Sequence, residues 1–258
     1  MTIKTTILFL VLLRFNFLSY SQQTIHAEDI ISDIKAGKNI SIENATIEGV
    51  LDFTFMEEKL QKLPKKKPSR HQDNKIDHQI AVKISFINCT FEDDVLAYIP
   101  DHDKSGYTFV ANFEEMITFK NCVFESRALF KHSVFDDISS FRRSNFSGDS
   151  TFKHAIFKEI SDFSNTYFEN EAVFKHTMFK KSVTFENTIF EEDATFKHTV
   201  FYEGVSFKDT RFKGSLNAKH TAVKGNFDMT GMKVNGEIDS KHMTINGQSF
   251  SSYLLNNQ

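Results

Sequence analysis

Residues 130–157 read FKHSVFDDISSFRRSNFSGDSTFKHAIF. Phenylalanine returns at 130, 135, 141, 146, 152 and 157, with gaps that alternate between five and six residues. The same alternation runs unbroken from Phe119 to Phe212. A helix repeats every 3.6 residues and a strand every 2, so neither produces this spacing. A longer period lies over it. Phe130-Lys131-His132 returns as Phe152-Lys153-His154, then as Phe174-Lys175-His176 and Phe196-Lys197-His198, always at the same interval. Ala218-Lys219-His220 and Ser240-Lys241-His242 extend the series. A fixed period of this length marks a solenoid.

The arithmetic predicts an all-β coil of four short sides, about 22 residues per coil, with one inward Phe on each side. Stacked coils hydrogen-bond through their backbones at the ~4.8 Å strand spacing, so each Phe lies on the Phe of the next coil in an offset stack. The residue two before each Phe is small or β-branched, as at Ser133, Ala155, Thr177, Ala194, Thr199 and Val205. It is expected to point inward too, because a narrow bore cannot hold two large groups per side. The remaining positions are mostly Lys, Glu, Asp, Asn, Ser and His and are expected to face water.

Units such as Phe152-Lys-His-Ala-Ile-Phe157 and Phe190-Glu-Glu-Asp-Ala-Thr-Phe196 resemble the pentapeptide-repeat family, in its Phe-centred variant with alternating five- and six-residue units. The resemblance covers roughly residues 40–248. It implies a right-handed quadrilateral β-helix, in keeping with the usual hand of parallel crossovers.

The chain has 258 residues, 40% hydrophobic and 25% charged, enough to bury one sizeable core. It holds 29 Phe and no Trp, and the repeat accounts for most of that bias. A net charge of -3 is too mild to argue for polyanion binding by the whole molecule. Residues 1–21 read as a secretory signal peptide. Lys4 supplies the positive end, Ile7 to Leu13 the apolar run, and Ser19-Tyr20-Ser21 the small residues before a cut. The apolar run is too short to span a bilayer, so no stable membrane insertion is expected after cleavage. The expected location is periplasmic, cell-surface or secreted, in a bacterial envelope.

Residues 22–39 are expected to form a helical cap, with Ile30, Ile31 and Ile34 on one face and Gly37 as its stop. The β-helix then occupies 40–248. Ile42, Ile47 and Phe53 keep the frame, which breaks over 56–79 and again over 98–107. Both breaks are read as loops. With both removed, Asn44, Asn88, Asn121, Asn165, Asn187 and Asp209 fall at one corner, with Arg143 and Gly231 as exceptions, and about eight coils result. Both loops then leave the side that later carries Lys-His. After Phe212 the ring positions soften to Ala218, Val223, Met229, Val234, Ser240 and Ile245, which suggests narrowing, and 249–258 are expected to close the end.

The most conspicuous surface feature is a ladder: Lys131, Lys153, Lys175, Lys197, Lys219 and Lys241, with His132, His154, His176, His198, His220 and His242 beside them. Functionally it suits an acidic polymer or an acidic partner surface, or, through neutral imidazoles, a metal. The simpler reading is a solvated pair copied by duplication, its charge balanced by Glu125, Glu169, Glu171, Glu191, Glu192 and Asp193 on the adjoining side. Cys89 and Cys122 share the inward small-residue position one coil apart. They are either a disulfide, which export permits, or two stacked buried thiols, which parallel side-chain vectors favour. Asp101-His102-Asp103 and Lys65-Lys66-Lys67 fit polar loops.

No nucleophile, metal-protease, phosphate-loop or dinucleotide fingerprint occurs. The expectation is therefore a non-enzyme with no cofactor, no metal and no nucleic-acid partner, serving as an exported scaffold for a protein or envelope polymer. Two rivals remain. The family resemblance implies DNA mimicry that protects type II topoisomerases, which the export segment and the Lys stripe oppose. A β-helix enzyme acting on polysaccharide would need convergent carboxylates that the sequence does not display.

Overall fold

The computed structural model describes residues 23–61, 63, 74–101 and 106–256. Residues 1–21, where a signal peptide is expected, Lys65-Lys66-Lys67, and His102 with Asp103 lie outside them. Among the described residues the strands form four sheets of nine, ten, eight and eight strands. Along the repeat each strand is a pair of residues that bonds in parallel to its counterpart in the next coil, as Val134-Phe135 does to Ile156-Phe157. Ile42 pairs with Phe86 and Phe86 with Phe119, while Ile80 pairs with Phe113 and Phe113 with Phe135. The frame counted across both breaks is therefore the register of the backbone.

Side-chain size explains the bore. Phe130, Phe141, Phe146, Phe152, Phe163 and Phe185 are all 0% exposed. Rings one coil apart stack in parallel, Phe152 on Phe174 at 5.0 Å and 6°. Rings on neighbouring sides meet edge to face, Phe152 against Phe163 at 5.2 Å and 86°. Both geometries suit the ring quadrupole. Each buried ring stabilises by roughly 1.5–3 kcal/mol, well above the ~0–1 kcal/mol of an exposed ion pair such as Lys181–Glu203. The rings hold the tube together.

The two gap lengths are two kinds of corner. Each five-residue unit makes a tight β-turn closed by a bond such as Thr188 N–H to the Phe185 carbonyl, 3.0 Å. Its third residue is left-handed, with φ from 54° at Asp209 to 58° at Arg143 on one corner and from 58° at His220 to 64° at His132 on the other. Asn, Asp and His enter this region more readily than other side chains. The inward residue that follows is usually Thr, whose hydroxyl donates to the carbonyl of a Phe in the preceding coil: Thr188 to Phe163 at 2.6 Å, Thr210 to Phe185 at 2.7 Å.

Three expectations are corrected at the N-terminal end. Residues 22–39 are not helical throughout. Gln23–His26 is a strand that covers Ala45–Glu48, and helix α1 (Ala27–Lys35) follows, packing Ala27, Ile30 and Ile34 onto the open mouth. Gly37 stops it at φ 73°, its N–H reaching the Ile34 carbonyl at 3.0 Å. The break at 56–79 contains helix α2 (Met56–Leu60) and a strand, Lys75–Ile80. The break at 98–107 is the start of a hairpin, Tyr98–Asp101 running antiparallel to Tyr107–Phe113. The long strand of that hairpin pairs with Lys75–Ile80. The two excursions are thus one small three-stranded sheet growing out of the tube. Backbone groups leaving a coil need partners, and each excursion supplies them to the other.

At the far end the parallel register continues through Val223 and Ile245, and the smaller side chains leave a cavity of about 30 Å³ between Phe207, Ala218 and Met243. A last antiparallel strand, Gln248–Ser249, pairs with Thr244–Ile245. Helix α3 (Phe250–Asn256) then sets Phe250 and Tyr253 against Phe227.

Candidate binding surface

The ladder residues are the second and third members of one corner turn, repeated up an edge of the tube. Backbone bonds tie each rung to the next, His132 N–H to the Lys153 carbonyl at 2.9 Å and His154 N–H to that of Lys175 at 3.0 Å. This geometry forces the side chains into line. His132, His154, His176, His198 and His220 stack ring on ring at 4.6–4.7 Å with planes within 4° of parallel, and His242 joins at 4.7 Å and 24°. Order round the coil puts this edge diagonally opposite the Asn corner.

Stacking sets the charge state. Burial against its neighbours, then repulsion from His132, His176 and the ladder lysines, pushes His154 down to about 4. His176, His198 and His220 are lowered in the same way, desolvation first. The imidazoles of His154, His176, His198 and His220 are therefore neutral near pH 7. The lysines beside them are the charges. Lys153 is lowered by burial and by Lys131 and Lys175, an unfavourable crowding of like charge.

The expected balance by the adjoining acidic residues does not form. Glu191 pairs with Lys213, and Glu169 accepts from Asn145 and Ser147. Other ion pairs join Lys158 to Asp136 and Lys208 to Glu186. Among the described residues no ion pair reaches a ladder lysine. The reason is placement: these carboxylates leave from other corners and meet cations of their own side one coil away. Lys131 has a partner of another kind, its Nζ donating to the Tyr98 hydroxyl at 2.9 Å and lying 4.5 Å from that ring's centroid. Tyr98 belongs to the projecting hairpin, so the small sheet closes one end of the ladder.

The cysteines take the place of the inward Thr. Both are free, Cys122 Sγ facing the Phe86 carbonyl at 3.4 Å and Cys89 Sγ the Ile42 carbonyl at 3.6 Å. They repeat with sulfur the bond that Thr makes in later coils. The Cys89 side chain against it, and then burial, push the Cys122 thiol well above the ordinary range.

Sequence reasoning missed two features. At the opposite corner Asn121 donates to Asn88 at 2.7 Å and Asn88 to Asn44 at 2.9 Å, a short amide ladder. On the projecting sheet, Asn112 donates to Asp77 at 3.2 Å and accepts from Val134 N–H at 3.0 Å. The alternation Tyr107, Phe109, Ala111, Phe113 was the available signal for that strand. Among the described residues no group of three or more His, Cys, Asp or Glu is placed to hold a metal, and no helix is long and apolar enough to cross a membrane.

A four-sided parallel solenoid with a regular coil and a charged edge is a repeat protein. The family model for pentapeptide repeats (9 copies) matches residues 130–178 and 174–221, so the coils over those residues are pentapeptide repeats. No curated protein and no solved structure matches the chain.

Proposed function

We propose that the protein is a non-catalytic, exported scaffold of the bacterial envelope that binds an acidic macromolecule along its Lys–His edge. The observation that carries this is a row of lysines, one per coil along a single edge, without an acidic partner among the described residues, whereas Lys158, Lys181, Lys208 and Lys213 on other edges each have one. A fold that only needed solubility would gain nothing from aligning like charges one coil apart, at the ~4.8 Å strand spacing, where their repulsion is only partly screened. The family is generally non-enzymatic, and the leader-like residues 1–21 support export. The Lys edge also runs against DNA mimicry, which needs an acidic face.

The test is retention on a sulfonate resin at pH 7.5. With a net charge of -3, the protein is expected to bind only if its cations act as one patch. Lys175→Glu with Lys197→Glu should send it into the flow-through. Wild-type protein in the flow-through would remove the binding reading, and fractionation into the cytoplasm would remove the export reading.

A further inference from the structure

The Lys–His pair outlasts the core residue that it follows. In the last two rungs the inward Phe has become Ala218 and Ser240, yet Lys219-His220 and Lys241-His242 are unchanged. The next corner round the coil drifts freely, from Asp136-Asp137 to Lys158-Glu159, Lys180-Lys181 and Tyr202-Glu203. The diagonally opposite corner makes the same turn with the same positive φ, and it accepts Glu43, Ile87, Arg142, Ser164 and Thr230 where the ladder has Lys. It prefers Asn where the ladder has His. The turn therefore needs neither Lys nor His in particular, and their repetition answers to something outside the fold.

The shape of the edge narrows what that is. Imidazole faces are covered by one another at 4.6–4.7 Å, so along the row only ring edges are open. A single-stranded nucleic acid needs a series of open aromatic faces on which to stack, and between its ends this strip has none. Duplex phosphates wind around their axis and leave a straight row after a few contacts. An extended peptide presents the same side every ~6.7 Å, out of step with the rungs. A straight sugar polymer suits both columns, with acidic groups for the ammonium groups and hydroxyls for the ring edges.

Resting on the acidic-macromolecule reading above, we propose that the Lys–His edge binds a linear acidic polysaccharide laid parallel to the tube axis. Its carboxylates or sulfates meet Lys153, Lys175, Lys197 and Lys219, and its hydroxyls bond the imidazole edges. Tyr98 marks the end of the track.

Binding is measured by calorimetry with polygalacturonate oligosaccharides (carboxylate), chondroitin sulfate (sulfate), neutral dextran, poly-L-glutamate and an oligothymidylate. One or both acidic polysaccharides should bind, more weakly as salt rises, and dextran should not. Lys175→Gln with Lys197→Gln should weaken binding by about tenfold, the loss of two solvent-exposed ion pairs. Lys219→Gln with Lys241→Gln, at the other end of the track, should act likewise. Lys158→Gln with Lys180→Gln, on a different corner, should leave affinity unchanged. His176→Asn with His198→Asn keeps the turn and the charge and should still weaken polysaccharide binding. Circular dichroism on each variant checks the fold. If poly-L-glutamate or oligothymidylate binds as tightly, with the same dependence on the ladder, the polysaccharide assignment falls and the acidic-macromolecule reading stands. If no polyanion binds, or both ladder variants bind like wild type, both fall.

Discussion

The third residue of each corner turn shows how a backbone angle selects a side chain. His176 sits at φ 60°, a region that costs most L-residues roughly 1–2 kcal/mol and β-branched ones more. His176→Asn should therefore leave urea-unfolding stability nearly unchanged, whereas His176→Val should lower it by about 1–2 kcal/mol. Equal losses in the two variants would mean that ring stacking, not the turn, holds His there. The neighbouring position follows a similar logic. Thr188 closes a bond of 2.6 Å to the Phe163 carbonyl, and Cys122 offers a sulfur where that hydroxyl would be. A side chain with a donor at this length satisfies a buried carbonyl, which explains why the inward residue on these corners is Thr or Cys more often than Ala.

Stacked rings are the unit of stability at the scale of the element. Phe163→Ala removes a ring that is 0% exposed, lying 4.9 Å from Phe141 and 5.1 Å from Phe185. It should cost about 3–5 kcal/mol, while Ile160→Ala, at a site 51% exposed, should stay within about 0.5 kcal/mol; chemical denaturation of the two variants compares them. Because ring spacing is the packing itself, coil number, register and the ladder's alignment were all legible in the residues. The projecting sheet was not. Counting the frame shows where the chain departs from the coil and where it returns, but the excursion obeys a different period. Tyr107 to Phe113 alternates like an ordinary strand, and its partner Lys75–Ile80 lies far upstream, with Thr108 facing Lys75, a pairing set in three dimensions. The failed charge balance has a similar origin: whether Glu191 meets Lys197 or Lys213 depends on the corner each leaves from, and composition does not encode that.

For the whole molecule, the His stack makes stability depend on pH. His154 titrates near 4 in the folded chain against an ordinary value of 6.5, and His78, buried against Phe55 at 4.3 Å, does the same. Between those values the unfolded chain takes up protons that the folded chain refuses, so stability falls as pH drops from about 6.5 toward 4. The melting temperature should be lower at pH 5 than at pH 7.5, and replacing His154, His176 and His198 by Asn should flatten the profile; an unchanged slope would place the loss elsewhere. The diagonal placement of the two corner columns has a mechanical outcome as well. Six lysines lined up on one long edge, with no ion pair among the described residues, make that edge a strip of positive charge on a body that is negative overall. Near a negatively charged sheet of material such a rod should roll until that edge faces down, and lie flat with its amide-lined edge turned to the solution.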